Sequence, residues 1–416
     1  MSGHSAAVAE VSPQRPYLSI VVTTRNDDHG GSLLRRTQTF VNALLAQCRR
    51  HDLAAELVIV EWNPPADRPR LRDALRWPAD FGPGQVRFIE VPESVHLRYP
   101  SAKALPLYQM IAKNVGIRKA RGQFILATNI DILFSEELAA HLARRELQGG
   151  LMYRIDRYDV MTDVPTDAPV EERLAYCETH VIRVNARGVT FAVTPDGARA
   201  PGMQHADLAP ALAAVSPPSA RMRWSEFFSK LKGVLRRAAG NDPVITVWVP
   251  VPGFVRRLLR FVLGADEQSC VPAATEEGNS TKRSPDLHTN ACGDFTLMAR
   301  EHWFDLRGYP EWDLYSFDID SVLCHAAHHG GAREVVLESP MRIYHIEHGS
   351  GSGWTPEGET LLFERLRQQG VAWLPHADLE VWAAQMRRLN CPMIFNRENW
   401  GLSDFQFPET VLPGPR

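Results

Sequence analysis

The chain has 416 residues, 44% of them apolar and 23% charged, so it can bury the core of one large domain or two ordinary ones, and disorder is not its default state. A formal net charge of −3 argues against a nucleic-acid binder, which carries a basic surplus. The six cysteines are scattered with no C-x-x-C spacing, which reads as free thiols in a reducing compartment, not a disulfide frame or a zinc site.

Residues 1–16 read as a loose tail without the apolar segment of a signal peptide. No uncharged apolar run reaches the roughly 18 residues a membrane-crossing helix needs. From 18 to 23 the run LSIVVT has the unbroken apolar character of a buried strand, and the polar, glycine-bearing loop TRNDDHGG follows it. Helical periodicity over 33–49, a second strand LVIVE ending at Glu61, a third over 86–91, a helix over 104–120 and a fourth strand FILAT at 124–128 complete the first half. Strands alternating with helices predict an α/β fold with a mostly parallel central sheet flanked by helices. The polar residues that follow the first, second and fourth strands are then expected on one edge of that sheet, where ligands of open α/β sheets bind.

From 151 onward the segments 152–158 and 179–184 are strand-like. Residues 197–285 read as an insertion holding two basic, aromatic-bearing amphipathic stretches, within 222–237 and 254–263. One reading of the pair is peripheral contact with an anionic membrane surface through 220–263, on the inner face of the membrane of a cytoplasmic protein; the other is a hairpin that caps a core or meets a partner. Dense organisation returns at 286–350: a strand-like run to 298, a helix at 300–306, a Gly308–Tyr309 turn, an acidic entry into a helix over 321–329, and a strand IYHIEH at 343–348. Helical segments near 358–369 and 377–389 form a C-terminal extension over 351–416.

The stretch KNVGIRKARGQFILATNIDILF, 113–134, organises the chemistry. It ends a strand in Asn129-Ile130-Asp131, and a carboxylate there beside a carboxamide can hold a hard divalent cation, which in turn can hold a diphosphate.

Taken together, SIVVTTRN, LVIVEWN, the 113–134 run, and GDFTLMAREHWFDLRGYPE with FDIDSVLCHAAHHGG resemble a glycosyltransferase of the GT-A type, close to the large family-2-like group with a galactosyltransferase-like carboxyl-terminal block. The resemblance covers about 17–135 and 288–350 and departs from the family in two places: Asn129 stands for the first acid of the DxD motif, and Phe317-Asp318 for the Glu-Asp pair. It implies a Rossmann-like nucleotide-sugar half at 17–196, an acceptor and catalytic half at 286–350, and sugar transfer from a nucleotide-diphosphate donor, a UDP-sugar, to a glycan or lipid-linked acceptor in polysaccharide synthesis.

By the same resemblance Thr23, Arg25, Glu61, Lys113, Asn114 and Asn129 serve the donor, and Asp294, Tyr309 and Trp312 the acceptor sugar. Asp131 holds Mn²⁺ or Mg²⁺, with His345 as a second ligand. His345 and His348 lie three apart and in an extended strand face opposite sides, so only one of them is expected at the metal. Asp318 and Asp320 are the candidates for general base, which makes the reaction an inverting single displacement. Both also sit where helix caps sit. A retaining transferase and a non-catalytic sugar-binding module on the same fold are the alternatives.

Overall fold

Unbroken apolar runs dominate the first half of the chain, and each becomes a strand covered on both faces. In the computed structural model, which describes residues 16–194, 199–200, 287–349, 355 and 358–412, the first strand β1 (Leu18–Thr24) is buried at every position. The helix α1 (Leu33–Arg50) follows, then β2 (Ala55–Trp62), the short helix α2 (Leu71–Ala74), β3 (Gln85–Val91) and the short helix α3 (Glu93–His96). Next come α4 (Gln109–Lys119), β4 (Phe124–Ala127), β5 (Ile132–Phe134), α5 (Glu136–Ala143), β6 (Leu151–Ile155), β7 (Arg157–Val160), α6 (Val170–Thr179), β8 (Val181–Ala186), β9 (Val189–Val193) and β10 (Arg199–Ala200). The later described elements are β11 (Thr296–Ala299), α7 (Arg300–Asp305), α8 (Ile319–His329), β12 (Arg333–Leu337), β13 (Ile343–Ile346), α9 (Glu359–Gln368), α10 (His376–Leu389) and β14 (Glu409–Val411).

Eight strands form the central sheet in the order β12-β6-β11-β4-β1-β2-β3-β14. The stretch β4-β1-β2-β3 is parallel, as the strand–helix alternation predicts, while β11 inserts antiparallel between β4 and β6. One face of the sheet packs on α1 through Phe40 and Leu44, the other on α4 and α8 through Ile111, Val115 and Leu323. The contact with α4 is close enough that a Cβ on Gly116 would lie 2.4 Å from Val21, which is why a glycine is tolerated inside that helix. The mixed α/β class is therefore as expected; the C-terminal extension carries helices α9 and α10 and, beyond the helical reading, the strand β14 at the edge of the central sheet beside β3.

Differences from the sequence reading are local. The expected helix over 104–120 starts only at Gln109, because Pro106 disfavours helical backbone at the residue before it. The strand-like run 152–158 breaks at Asp156: β6 stays in the central sheet and β7 enters a second one. That second sheet, ordered β10-β9-β8-β7-β13-β5, places β13 between β5 and β7. The 197–285 insertion, including the 220–263 membrane expectation, lies outside the described residues apart from 199–200. Among the described residues no helix is long and apolar enough to cross a membrane.

Candidate active site

The two sheets meet where β4 ends and β5 begins, and Asp131 occupies that junction. The second sheet sets its surroundings by register: His345 on β13 lies opposite Ile132 on one side and Asp159 of β7 on the other. The Ile346 amide donates to the Asp131 carbonyl at 3.0 Å, which fixes the end of β13 against the Asp131 backbone. From there the His345 Nε2 atom stands 3.9 Å from Asp131 Oδ2. His348 Nε2 stands 3.6 Å from the same oxygen. The expectation that only one of these histidines faces the acid is thus corrected. β13 ends at Ile346, and the Gly349 amide donates to the Gly30 carbonyl at 2.9 Å, so strand alternation does not extend to His348.

Asp131, His345 and His348 each offer a ligand atom, all within 4.8 Å of one another. A metal about 2.1 Å from each donor needs donors roughly 3 to 4 Å apart, and the two imidazole-to-carboxylate separations, 3.9 and 3.6 Å, lie in that range. The chemistry of the set fits as well, with one refinement. Two imidazoles and a carboxylate suit a transition ion such as Mn²⁺ better than Mg²⁺, which prefers oxygen donors. Burial pushes the His348 imidazole down to about 4, so at ordinary pH it is neutral, the form that ligates metals. Burial pushes Asp131 up, but His345, His348 and Arg36 outweigh it and hold the carboxyl below its usual range.

Around this cluster lies a buried ion network that the sequence reading missed. Asp159, fully buried, accepts from His345 Nδ1 at 3.2 Å and pairs with Arg157 at 2.8 Å and Arg183 at 2.7 Å. Despite burial, Arg157 and His345 hold its carboxyl far below the usual carboxylate range. Arg157 also reaches Asp294 at 2.5 Å, and the Asn129 amide donates to the other oxygen of Asp294. Asn129 in turn accepts from Gln109 at 2.9 Å, so both ends of its carboxamide are used in tying β4 to the Gly293–Asp294 turn.

At the carboxyl ends of β1 and β2 the expected donor residues gather. Thr23 Oγ1 donates to the Val60 carbonyl at 3.2 Å, and Arg25 donates to the Pro106 carbonyl at 3.3 Å. Glu61 accepts from the Leu71 amide at 3.0 Å, and burial raises its pKa to about 7. Two neighbours that sequence reasoning passed over carry a stronger signal. Thr24 and Asn26 are each 2% exposed, yet Thr24 Oγ1 and Asn26 Oδ1 have no hydrogen-bond partner. Buried polar atoms left unpaired call for an explanation, and a bound polar ligand is one.

Lys113 is fully buried, donates to the Gly293 carbonyl at 2.7 Å, and is lowered by that burial to about 8 while Asp294 and Asp320 favour its charge. Asp320 faces the same turn: its Oδ2 lies 2.7 Å from where a Cβ on Gly293 would stand. Burial, with Asp318 next, raises the Asp320 pKa. Asp318 occupies the N-cap position of α8 but makes no capping bond; it adopts φ +61° and pairs with His376 of α10 at 3.0 Å.

The expected roles of Asn114 and Tyr309 do not match their positions. Asn114 does not face open space: its Oδ1 accepts from the Tyr309 amide at 2.8 Å, and its Nδ2 donates to the Tyr309 carbonyl at 2.7 Å and Glu311 at 2.9 Å. It clamps the Gly308 turn. Tyr309 is fully buried against Trp303, so its ring offers no face to a sugar. Trp312 is half-buried between Trp382 and Phe395 at centroid distances of 5.0 and 5.1 Å. On α8, His325, His328 and His329 stand close in sequence but belong to no metal-ligand cluster among the described residues.

The arrangement defines a histidine–carboxylate cluster at the carboxyl edge of an α/β sheet. No protein-family model matches the chain, and no curated protein does. Among solved structures it is similar to S. aureus TarS residues 1–349 in complex with UDP-GlcNAc, at 12% identity and a TM-score of 0.36 over 89% of this chain and 71% of that one. A longer S. aureus TarS structure gives 13% and 0.33, with 89% of this chain matched to 42% of that one. GalNAc-T7 with UDP, GalNAc and Mn²⁺ gives 14% and 0.36, covering 94% of this chain and 57% of that one. The chain thus spans less than half of the longer TarS and little more than half of GalNAc-T7. Likeness at this level leaves the reading to rest on the geometry.

Proposed function

We propose that the chain is a glycosyltransferase of the GT-A type, moving a sugar from a nucleoside-diphosphate donor, a UDP-sugar, to a glycan or lipid-linked hydroxyl with inversion. The carrying observation is the convergence of Asp131, His345 and His348 beside the carboxyl ends of β1 and β2. Thr24 Oγ1 and Asn26 Oδ1, buried without a hydrogen-bond partner at the end of β1, add polar atoms for the nucleotide.

Asp131, His345 and His348 would hold Mn²⁺, which would supply neutralisation of the leaving diphosphate. Thr24, Asn26 and Glu61 contact the nucleoside. Asp294, fixed by Arg157 and Asn129, binds sugar hydroxyls. Asp318 takes the proton of the acceptor hydroxyl. Three features favour it over Asp320: a left-handed backbone that a non-glycine residue adopts at a cost, a side chain unused as a cap, and orientation by His376. Asp320 serves as counter-charge to the buried Lys113.

The test is release of UDP from a panel of UDP-sugars, with and without added glycan acceptors, by the unaltered chain and by Asp318→Asn. The reading expects Mn²⁺-dependent release that Asp318→Asn loses. Binding of UDP without release under any condition favours a non-catalytic sugar-binding module instead.

A further inference from the structure

Arg36 meets the proposed metal site from a side that the ligand set does not explain. It lies on α1, 4% exposed, and its Nη1 is 2.5 Å from Asp131 Oδ2, the oxygen that both imidazoles face. The rest of the guanidinium is tied to the loop after β1: Nη2 donates to the His29 carbonyl at 2.5 Å and Nε to the Gly31 carbonyl at 3.3 Å. That loop is closely fitted to the site. A Cβ on Gly30 would stand 3.0 Å from His348 Nδ1 and 3.1 Å from Arg36 Nη2.

One carboxylate oxygen therefore has a fixed cation and two metal-type donors around it. A divalent ion shared by this oxygen and the two imidazoles lies within a few ångströms of the guanidinium, and the two cations repel each other. Metal binding is therefore opposed for as long as Arg36 holds Asp131. The carbonyls that hold the rest of the guanidinium belong to the loop at the donor edge of the sheet, so a released fork stands where a diphosphate would give it two oxygens in bidentate geometry.

Resting on the reading of Asp131, His345 and His348 as a metal site, we infer that Arg36 is a built-in competitor of the metal for Asp131. It makes metal binding conditional on the nucleotide diphosphate, which gives the displaced guanidinium a new anionic partner. Metal alone binds weakly, and metal and nucleotide bind cooperatively through one side chain.

The test is direct titration of Mn²⁺, followed by loss of the free-ion electron paramagnetic resonance signal, into the full chain, Arg36→Gln and Arg36→Met, with thermal midpoints recorded for each. The carboxamide introduced by Arg36→Gln can still donate to the loop carbonyls, so that variant guards against one that does not fold. Without nucleotide, the variants are expected to bind Mn²⁺ at least about tenfold more tightly than the unaltered chain, within the usual range of coupling between sites. Counted against the Mn²⁺ that UDP holds in solution, adding UDP is expected to raise Mn²⁺ affinity by a larger factor in the unaltered chain than in the variants, the difference being about tenfold. Variants that bind Mn²⁺ equally or more weakly overturn the inference while leaving the metal site standing, as does an unaltered chain whose affinity ignores UDP. Absence of Mn²⁺ binding by every form, with or without UDP, overturns both the inference and the metal reading beneath it.

Discussion

His345 Nδ1 and Asp159 Oδ1 stand 3.2 Å apart because their strands, β13 and β7, run parallel with these two residues in register. The carboxylate fixes which face of the imidazole turns outward and leaves Nε2 aimed at Asp131. Partners of this kind set ring orientation and ligand basicity, and losing them typically weakens metal binding by about 10–100-fold. Asp159→Asn is expected to lower Mn²⁺ affinity within that range. It also strips a charge from between Arg157 and Arg183, so a stability loss on the order of 3 kcal/mol accompanies it. Urea denaturation and metal titration of the same preparation separate the two effects.

Glu311 gives the fold a pH dependence with a definite sign. Burial raises its pKa from 4.5 to about 7, while its oxygen accepts from Asn114 at 2.9 Å and the Gly401 amide at 2.6 Å. Between those two pKa values the folded chain keeps a proton that the unfolded chain has released, so this group makes stability fall as pH rises through the window. Glu311→Gln keeps the acceptor oxygen and removes the titration. Relative to the unaltered chain, the variant should gain up to about 3 kcal/mol between pH 4.5 and 7.5, seen in paired denaturation curves. A difference that stays constant across that range contradicts the assignment.

The two acids at the head of α8 are expected to behave differently. Asp318→Asn should abolish sugar transfer while leaving UDP binding and the thermal midpoint nearly unchanged. Asp320→Asn removes a counter-charge of fully buried Lys113 and should cost about 2–4 kcal/mol of stability, an effect that a calorimetric scan reads without any substrate. The reverse pattern assigns the base to Asp320.

Asn114 makes three hydrogen bonds into the Gly308–Glu311 segment, and Gly308 itself sits at φ +69° with no room for a Cβ beside Asn114. Asn114→Ala strands the buried amide of Tyr309, at roughly 1–3 kcal/mol, while the Tyr309 carbonyl keeps Asn396 Nδ2 at 2.6 Å. The expected result is a lower midpoint with unchanged affinity for UDP. A selective loss of UDP binding would return Asn114 to the donor pocket.

Much of the fold was legible in the chain because β1 to β4 are continuous apolar runs separated by turn formers, and α1, α9 and α10 show clear helical stripes. The second sheet was not, since β5 is three residues long and the break at Asp156 leaves no mark in hydropathy. The Asp131–His345 pairing came through family resemblance. His348 was set aside by an argument from strand alternation, valid only while the strand continues, and β13 stops at Ile346. Arg36, Asp159 and His376 escaped for a different reason. Their partners lie 95, 186 and 58 residues away in sequence, and charge pairs at such separations are visible only once the strands and helices are placed.

The most direct measurement is a thermal-shift titration of UDP against the unaltered chain and Asp131→Asn, each with and without Mn²⁺. A ligand that binds only the folded chain raises its midpoint in proportion to affinity and concentration. The proposed function predicts a shift with UDP that requires Mn²⁺ and disappears in Asp131→Asn. A UDP shift that is the same with and without Mn²⁺ and survives in Asp131→Asn, or no shift in any combination, contradicts it.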